Sequence, residues 1–387
     1  MRPQPPFPRS FYLLVAANFF FFASFQWTYA TISNYIQEIG GDATAIGLAY
    51  GLFSLSAVAS RPAVGWLLDR GGRKPVLLVG AVIFVLSPLL YIVARPLWAF
   101  QAVRFFSGLG IAAFTSAYTT LVADLAPPAR LGEGIGFSGV TNNLGMLFAP
   151  ALGAYVAAEK GYTLHFALAS LLAALCVLIL LAVVEPEQER AARPGSLSLW
   201  SVARLRVVWV AAFGSTGLAV AYGATLSFMP PFASEQGLTA AGAYFSAFAL
   251  AMMIGQASAG WLSDRIGRKA VAVPGMALVI PAMVGLVLSG TNAGLLAAGA
   301  ALGLSWGLAR AGIDSAVVDA VPEAVRGSAI SVLYTVFDFG VGIGSFGLGV
   351  AAQARGYAAA FSLAALWAAV ALAGFLAWSR RGSLPGR

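Results

Sequence analysis

The chain has 387 residues, is 59% hydrophobic and only 10% charged, and its mean hydropathy is +0.83. Such a composition excludes a soluble globular protein. The net charge of +8 at first suggests a polyanionic partner, but the placement of the basic residues excludes nucleic acid and points to membrane topology instead.

Apolar runs of about 20 residues, each long enough to cross the hydrocarbon layer, recur from end to end. They predict spans at 11–35, 44–68, 76–94, 97–122, 134–157, 164–184, 207–231, 240–263, 271–289, 294–318, 328–353 and 358–379. The runs are continuously apolar and do not alternate, which excludes a β-barrel. With the amino terminus inside, Arg95, Lys160 and Arg355 fall outside and Arg61, Arg104 and Arg310 lie within spans. The other seventeen Lys and Arg are cytoplasmic, so both termini are expected in the cytoplasm of a prokaryotic inner membrane. The first span exceeds a signal peptide's apolar core and is expected to be retained. The polar stretch Glu185–Arg206 reads as a linker, dividing the chain into bundles at 1–184 and 207–387. A lone cysteine, Cys176, excludes an intrachain disulfide and a cysteine metal cluster. No metal and no cofactor are expected.

A ten-residue string occurs twice, at Gly65–Lys74 and Gly260–Lys269, with eight of ten positions identical and an offset of 195. The offset recurs for Gly108 with Gly303, Asp124 with Asp319 and Pro127 with Pro322. A duplicated half of this kind is the signature of two-fold membrane carriers. Each repeated turn joins two spans. Asp69 can cap a helix amino terminus, where the partial positive charge favours an anion. Arg73 is within reach of Asp124, and Arg268 of Asp319. The bland alternative is a solvated basic turn that only fixes topology, and a twofold match at constant offset disfavours it.

These turns resemble the signature of the major facilitator superfamily, at Gly65, Asp69, Arg70, Gly72 and Arg73 and again at Gly260, Asp264, Arg265, Gly267 and Arg268. Arg104-Phe-Phe-Ser-Gly108-Leu-Gly110 is similar to the family's helix-four element. The antiporter element of helix five is degenerate, with Ala149 and Ala154 each replacing one glycine. The resemblance implies an all-α membrane protein of twelve transmembrane helices in two pseudo-symmetric six-helix bundles. Its closest flavour is the bacterial drug- and sugar-efflux branch. That implies proton-antiport export of a small-molecule substrate by a monomer in the lipid bilayer, with alternating access to a central site and no enzymatic step.

Five charges lie within the spans: Arg61, Arg104, Arg310, Asp314 and Asp338. Each costs several kcal/mol, on the order of 3 or more, unless paired or hydrated. Arg310 and Asp338 lie roughly 12–16 Å deep on neighbouring helices, so an ion pair is expected, shared by Asp314 at i+4. The resemblance places helix two beside helix eleven, which would bring Arg61 to Asp338 as well. Asp338 is the expected titrating carboxylate; a static salt bridge is the competing reading. Arg104, with no acid at its depth, is expected to face a wet cavity. Polar residues at helical spacing nominate Asn18, Gln26, Tyr29, Tyr118, Asn142, Tyr222, Gln256, Trp306 and Tyr334 as cavity lining, although each also fits an interhelical hydrogen bond.

Two motif matches, Gly303-Leu-Ser305-Trp-Gly307 and Gly342-Ile-Gly344-Ser-Phe-Gly347, sit inside apolar spans and follow no strand, so they are set aside. No phosphate-binding loop occurs, so energy must come from a gradient. His165 is placed near the outer surface. The alternatives to export are an importer or uniporter of the same fold, a transport-dead sensor, and an intramembrane hydrolase using Ser305 and His165. Span one carries no acid within the membrane, which favours the importer or uniporter; a depth gap of roughly 15 Å opposes the hydrolase.

Overall fold

The computed structural model describes residues 6–127, 130–186, 205–322 and 326–379, and among them there is no strand. The helices are α1 (Arg9–Tyr29), α2 (Ile32–Glu38), α3 (Ala43–Gly71), α4 (Arg73–Val93), α5 (Leu97–Leu125) and α6 (Leu131–Leu181). They continue with α7 (Arg206–Glu235), α8 (Ala241–Ile266), α9 (Arg268–Val287), α10 (Asn292–Ala320), α11 (Arg326–Arg355) and α12 (Tyr357–Trp378). Helices are what an apolar chain must form in lipid, because they satisfy every backbone N–H and C=O internally.

Among the described residues, eleven helical stretches are long and apolar enough to cross a membrane. One of them, Gly139–Leu181, has 43 residues, or about 65 Å of helix, twice the hydrocarbon thickness. It is broken at Gly161, whose φ of 80° and ψ of 168° are not helical. Two crossings joined at this break bring the number to the expected twelve. The first crossing, Arg9–Glu38, comprises α1 and α2.

The chain divides into two compact units: Met1–Gly41 with Leu52–Glu189, and Asp42–Gly51 with Arg190–Arg387. The expected linker lies outside the described residues except for Glu185, Pro186, Leu205 and Arg206. In the first unit, α1 packs along α6, and α4 packs between α5 and α6. The Phe21 and Phe114 rings stack at 3.5 Å in its core. In the second unit, α10 is flanked by α8 and α9, while α7 lies against α11 and α12.

The repeat is visible in the packing of each unit. A Cβ at Gly108 would run into the Phe53 carbonyl, and one at Gly303 into the Phe248 carbonyl. Both pairs are related by the offset of 195, and small residues permit this backbone approach. Within the repeated turns, Gly72 and Gly267 take φ values of 88° and 95°, a region that side-chain-bearing residues enter at a cost of about 1–2 kcal/mol. Large apolar side chains remain exposed along the helices, among them Val93, Leu178 and Leu288, as expected of faces meant for acyl chains.

His165 is fully buried: its ring nitrogens lie 2.9 Å from Gly153 O and 2.9 Å from Thr31 Oγ1. Trp27 Nε1 donates to the His165 carbonyl at 3.1 Å. The break at Gly161 lets the second arm of α6 lie along α1, so a residue only four positions beyond the break is interior.

Gly303→Val should destabilise the protein by about 1–3 kcal/mol through overpacking, because its obstacle is backbone that cannot rotate away. Gly285→Ala, where a Cβ would meet open space, should be neutral or stabilising by up to about 1 kcal/mol. Melting temperatures of the two purified variants in one detergent check the contrast.

Candidate functional site

A charge cluster around the buried Arg310 organises the second unit. Trp306, Arg310 and Asp314 follow at four-residue spacing on α10 and so share one face. Arg310 is buried, and its Nε lies 3.2 Å from Asp314 Oδ2. The Tyr334 hydroxyl on α11 donates to the same Oδ2 at 3.0 Å. The guanidinium also sits 3.9 Å above the Tyr334 ring and 4.8 Å from that of Phe337. Asp314 Oδ1 and Trp306 Nε1 are buried without a hydrogen-bond partner among the described residues. The Trp306 ring lies 6.0 Å from Tyr222 and 5.9 Å from Phe337. The result is an aromatic-walled site with a vacant acceptor and a vacant donor.

Arg310 therefore meets a carboxylate on its own helix. Asp338 lies one turn beyond Tyr334 on α11 and is half-buried. A pair at i,i+4 is fixed by the helix itself, whereas a cross-helix pair depends on rotation about the helix axis, which depth along the span does not reveal.

In the first unit, Arg104 is enclosed, contrary to the expected wet cavity. It is 2% exposed, with its guanidinium 4.5 Å from the Phe53 ring and 5.3 Å from that of Tyr29. Its Nη1 reaches the Tyr91 hydroxyl at 3.5 Å, and that hydroxyl is 2.8 Å from Ser107 Oγ. Aromatic faces and a hydroxyl face this cation. Nearby polar residues are also engaged: Asn18 Nδ2 donates to Thr141 Oγ1 and Asn142 Oδ1, both at 2.7 Å. Tyr118 stacks on Phe114 at 6.0 Å. Gln26 is buried, and Arg61 and Gln256 are half-buried.

The two repeated turns have matching geometry. Arg73 Nε is 3.0 Å from Asp124 Oδ2, and Arg268 Nε is 2.9 Å from Asp319 Oδ2. A second donor of each arginine returns to its own turn, at Leu68 O and Ser263 Oγ respectively. Arg70 lies 4.4 Å over Trp66, and Arg265 lies 3.9 Å over Trp261. A Cβ at Gly65 would meet open space. The side chains at Asp69, Gly260 and Asp264 lie outside the described set.

Sequence reasoning assigned Glu185 to the linker and missed its role. Its carboxylate accepts from Arg73 N at 2.7 Å and Lys74 N at 3.0 Å, capping α4. Lys74 Nζ in turn donates to Leu181 O and Val183 O. The available signal was a helix start with four unsatisfied N–H groups and an acid immediately after span six. Among the described residues there is no cluster of His, Cys, Asp or Glu fit for a metal. Ser305 Oγ donates to Gly275 O at 2.7 Å.

Set beside known proteins, this architecture has clear relatives. The chain belongs to the Major Facilitator Superfamily, whose sequence profile matches residues 14–288 and 238–386. It is 30% identical over 145 residues to an uncharacterized MFS-type transporter of Methanocaldococcus jannaschii, covering 38% of each chain. It is 23% identical over 150 residues to the quinolone resistance protein NorA of Staphylococcus aureus, covering 39% of this chain and 38% of that one. These matches thus span well under two thirds of the relatives' length. In fold, it is similar to the nucleoside transporter NupG (TM-score 0.80, 15% identity, 96% of this chain and 100% of that one). It is similar too to a bacterial homologue of the human lysosomal transporter Spinster (TM-score 0.81, 16% identity, 96% of both chains).

The two turn ion pairs differ in burial: the Arg73 and Asp124 side chains are 15% and 8% exposed, those of Arg268 and Asp319 23% and 42%. Asp124→Asn should accordingly cost about 3 kcal/mol, as for a buried pair that loses one partner. Asp319→Asn should cost about 1 kcal/mol or less. Thermal melts of the two variants, repeated at high salt, check both the order and the weaker screening of the first pair.

Proposed function

We propose that the protein is a secondary active transporter that exports a small organic molecule in exchange for protons, by alternating access. The supporting observation is the Arg310–Asp314–Tyr334 cluster with its open Asp314 Oδ1. A carboxylate in low-dielectric surroundings keeps its charge only while a cation and hydrogen-bond donors face it. Oδ2 already receives Arg310 and Tyr334, so Oδ1 is free to take either a proton or a donor of the substrate. Trp306 Nε1 supplies the complementary donor, and the rings of Trp306, Tyr222 and Phe337 suit a planar, amphiphilic molecule. The similarity to NorA, a quinolone resistance protein, supports a drug-like cargo of this kind.

Within this reading, Asp338 is the coupling carboxylate and Asp314 the substrate-facing partner of Arg310. Arg61 and Arg104 are fixed intramembrane charges of the first unit, and Asn18, Gln26, Tyr29, Tyr118, Asn142 and Gln256 belong to the transport pathway. The repeated turns, including Asp69 and Asp264, act as gating latches in the two halves 1–184 and 207–387. Both termini are cytoplasmic, the membrane is the prokaryotic inner membrane, and the working unit is a monomer. A second reading, an importer or uniporter, is favoured by the degenerate helix-five element, in which Ala149 and Ala154 stand for glycines.

In everted vesicles, Asp338→Asn should abolish proton-driven accumulation while substrate binding and counterflow persist. Asp314→Asn should weaken binding about tenfold or more, the loss expected when a charged hydrogen-bond acceptor is removed. Uphill transport by Asp338→Asn equal to the parent would pass coupling to Asp314. Exchange independent of pH in the parent protein would select the uniporter. A ligand screen by thermal shift supplies the substrate for these assays, since binding raises the melting point by mass action.

A further inference from the structure

At the helix ends opposite the repeated turns, the first unit holds a cavity of about 340 Å³ lined by Tyr35, Glu38, Ile39, Ile92, Arg95, Tyr162, Thr163 and Phe166. Three segments build it: α2, the end of α4, and the start of the second arm of α6. The export reading uses none of these residues.

The cavity's walls are preassembled. Tyr35 lies 4.8 Å from Tyr162 and 5.0 Å from Phe166, and Tyr162 lies 5.8 Å from Phe166. The Tyr35 hydroxyl is anchored by a 3.0 Å hydrogen bond to Tyr91 O, which holds that ring at the wall. One carboxylate, Glu38, and one guanidinium, Arg95, complete the lining. Both charges act electrostatically on Tyr35, and Glu38 also acts on Tyr162. Among the described residues, no ion pair or hydrogen bond occupies either charged side-chain group. The volume falls at the lower end of small-molecule sites.

A lone cation here would meet Arg95 and a lone anion would meet Glu38, so each would pay repulsion for its attraction. A molecule carrying both charges avoids that conflict. Its ammonium can face Glu38 and the ring faces of Tyr162 and Phe166, which attract cations; its anionic group can take the guanidinium's paired donors. We propose that this cavity binds a small zwitterion, with an ammonium and a carboxylate or phosphate held apart by a short linker. The same chemistry is offered by a free amino acid or phosphoethanolamine and by a zwitterionic lipid headgroup. The site is independent of the export reading, and its test needs no transport.

Titration calorimetry on the full-length protein in detergent, with β-alanine, 4-aminobutyrate and O-phosphoethanolamine, reads the charge separation. Ethylamine and propionate serve as singly charged controls. At least one zwitterion should bind about tenfold more tightly than either control, equivalent to one paired charge of about 1.4 kcal/mol. Glu38→Gln and Arg95→Gln should each remove that advantage. Thr163→Trp, which fills the cavity and keeps both charges, should remove it too. In a second arm, native mass spectrometry after reconstitution in mixed phosphatidylethanolamine and phosphatidylglycerol nanodiscs reports retained lipid. Phosphatidylethanolamine retained by the parent and lost from both charge variants, with no soluble zwitterion bound, supports the site and assigns its source to lipid. The proposal is overturned if no zwitterion outbinds the controls and no lipid preference depends on Glu38 and Arg95. It is equally overturned if variants that melt like the parent bind as the parent does.

Discussion

A charge within a membrane span has to be answered by its immediate surroundings, and the protein does this in two ways. Arg104 is answered by neutral groups, the rings of Phe53 and Tyr29 and the Tyr91 hydroxyl. None of these changes charge readily, and a guanidinium does not deprotonate in a protein, so that arginine is a fixed cation. Arg310 is answered by Asp314 and by Tyr334, which share one carboxylate oxygen. A carboxylate can gain a proton, so the second cluster has two charge states where the first has one. Gradient coupling requires a group of the second kind, which is why the proposed chemistry falls on α10 and α11.

The internal repeat separates scaffold from chemistry. Positions that set backbone approach and turn geometry match at the offset of 195: Gly108 with Gly303, Gly72 with Gly267, and the Arg73–Asp124 and Arg268–Asp319 pairs. Positions in the charge cluster do not. Trp306, Arg310, Asp314 and Tyr334 correspond to Ile111, Thr115, Thr119 and Gly139, and Arg104 corresponds to Gly299. The turns have diverged in one respect as well. Glu185 caps α4 in the first unit, whereas the corresponding position is Arg380, of opposite sign. Both copies of the turn tie an arginine to an acid, and among the described residues the first also holds an acid against its helix start.

Much of this was legible from the chain because lipid imposes simple rules. Spans follow from apolar length, and the doubled turn with its arginine and aspartate partners follows from a constant offset. The Arg310–Asp314 contact was legible as an i,i+4 pair. What escaped was information about direction around a helix axis. Depth along the span could nominate Asp338, but only packing shows that Tyr334 joins Arg310 on Asp314. Arg104 was expected to be hydrated because acids alone were counted as partners, and aromatic faces were not. The burial of His165 was not legible, because it follows from the second arm of α6 packing against α1. Glu185 was hidden by its polar neighbours, since a capping acid and a linker acid have the same composition.

The geometry of the charge cluster also constrains the proposed exchange. Oδ2 of Asp314 is saturated by two donors, leaving Oδ1 as the one acceptor at which a substrate donor would compete with a proton handed on from Asp338. Competition at a single atom would make the two occupants mutually exclusive, which is the condition for antiport as opposed to symport. It would also set one proton against one substrate molecule for each passage of this group. For a neutral substrate such a cycle carries one net positive charge inward, so membrane potential and pH gradient would both drive it, at about 2.3 kcal/mol per 100 mV for the charge moved. For a monovalent cation the same cycle moves no net charge, and only the pH gradient remains. The fixed positive charge of Arg310 at 3.2 Å from Asp314 disfavours a second cation beside it. The cluster is therefore better matched to neutral or zwitterionic cargo, and its transport would be voltage-dependent.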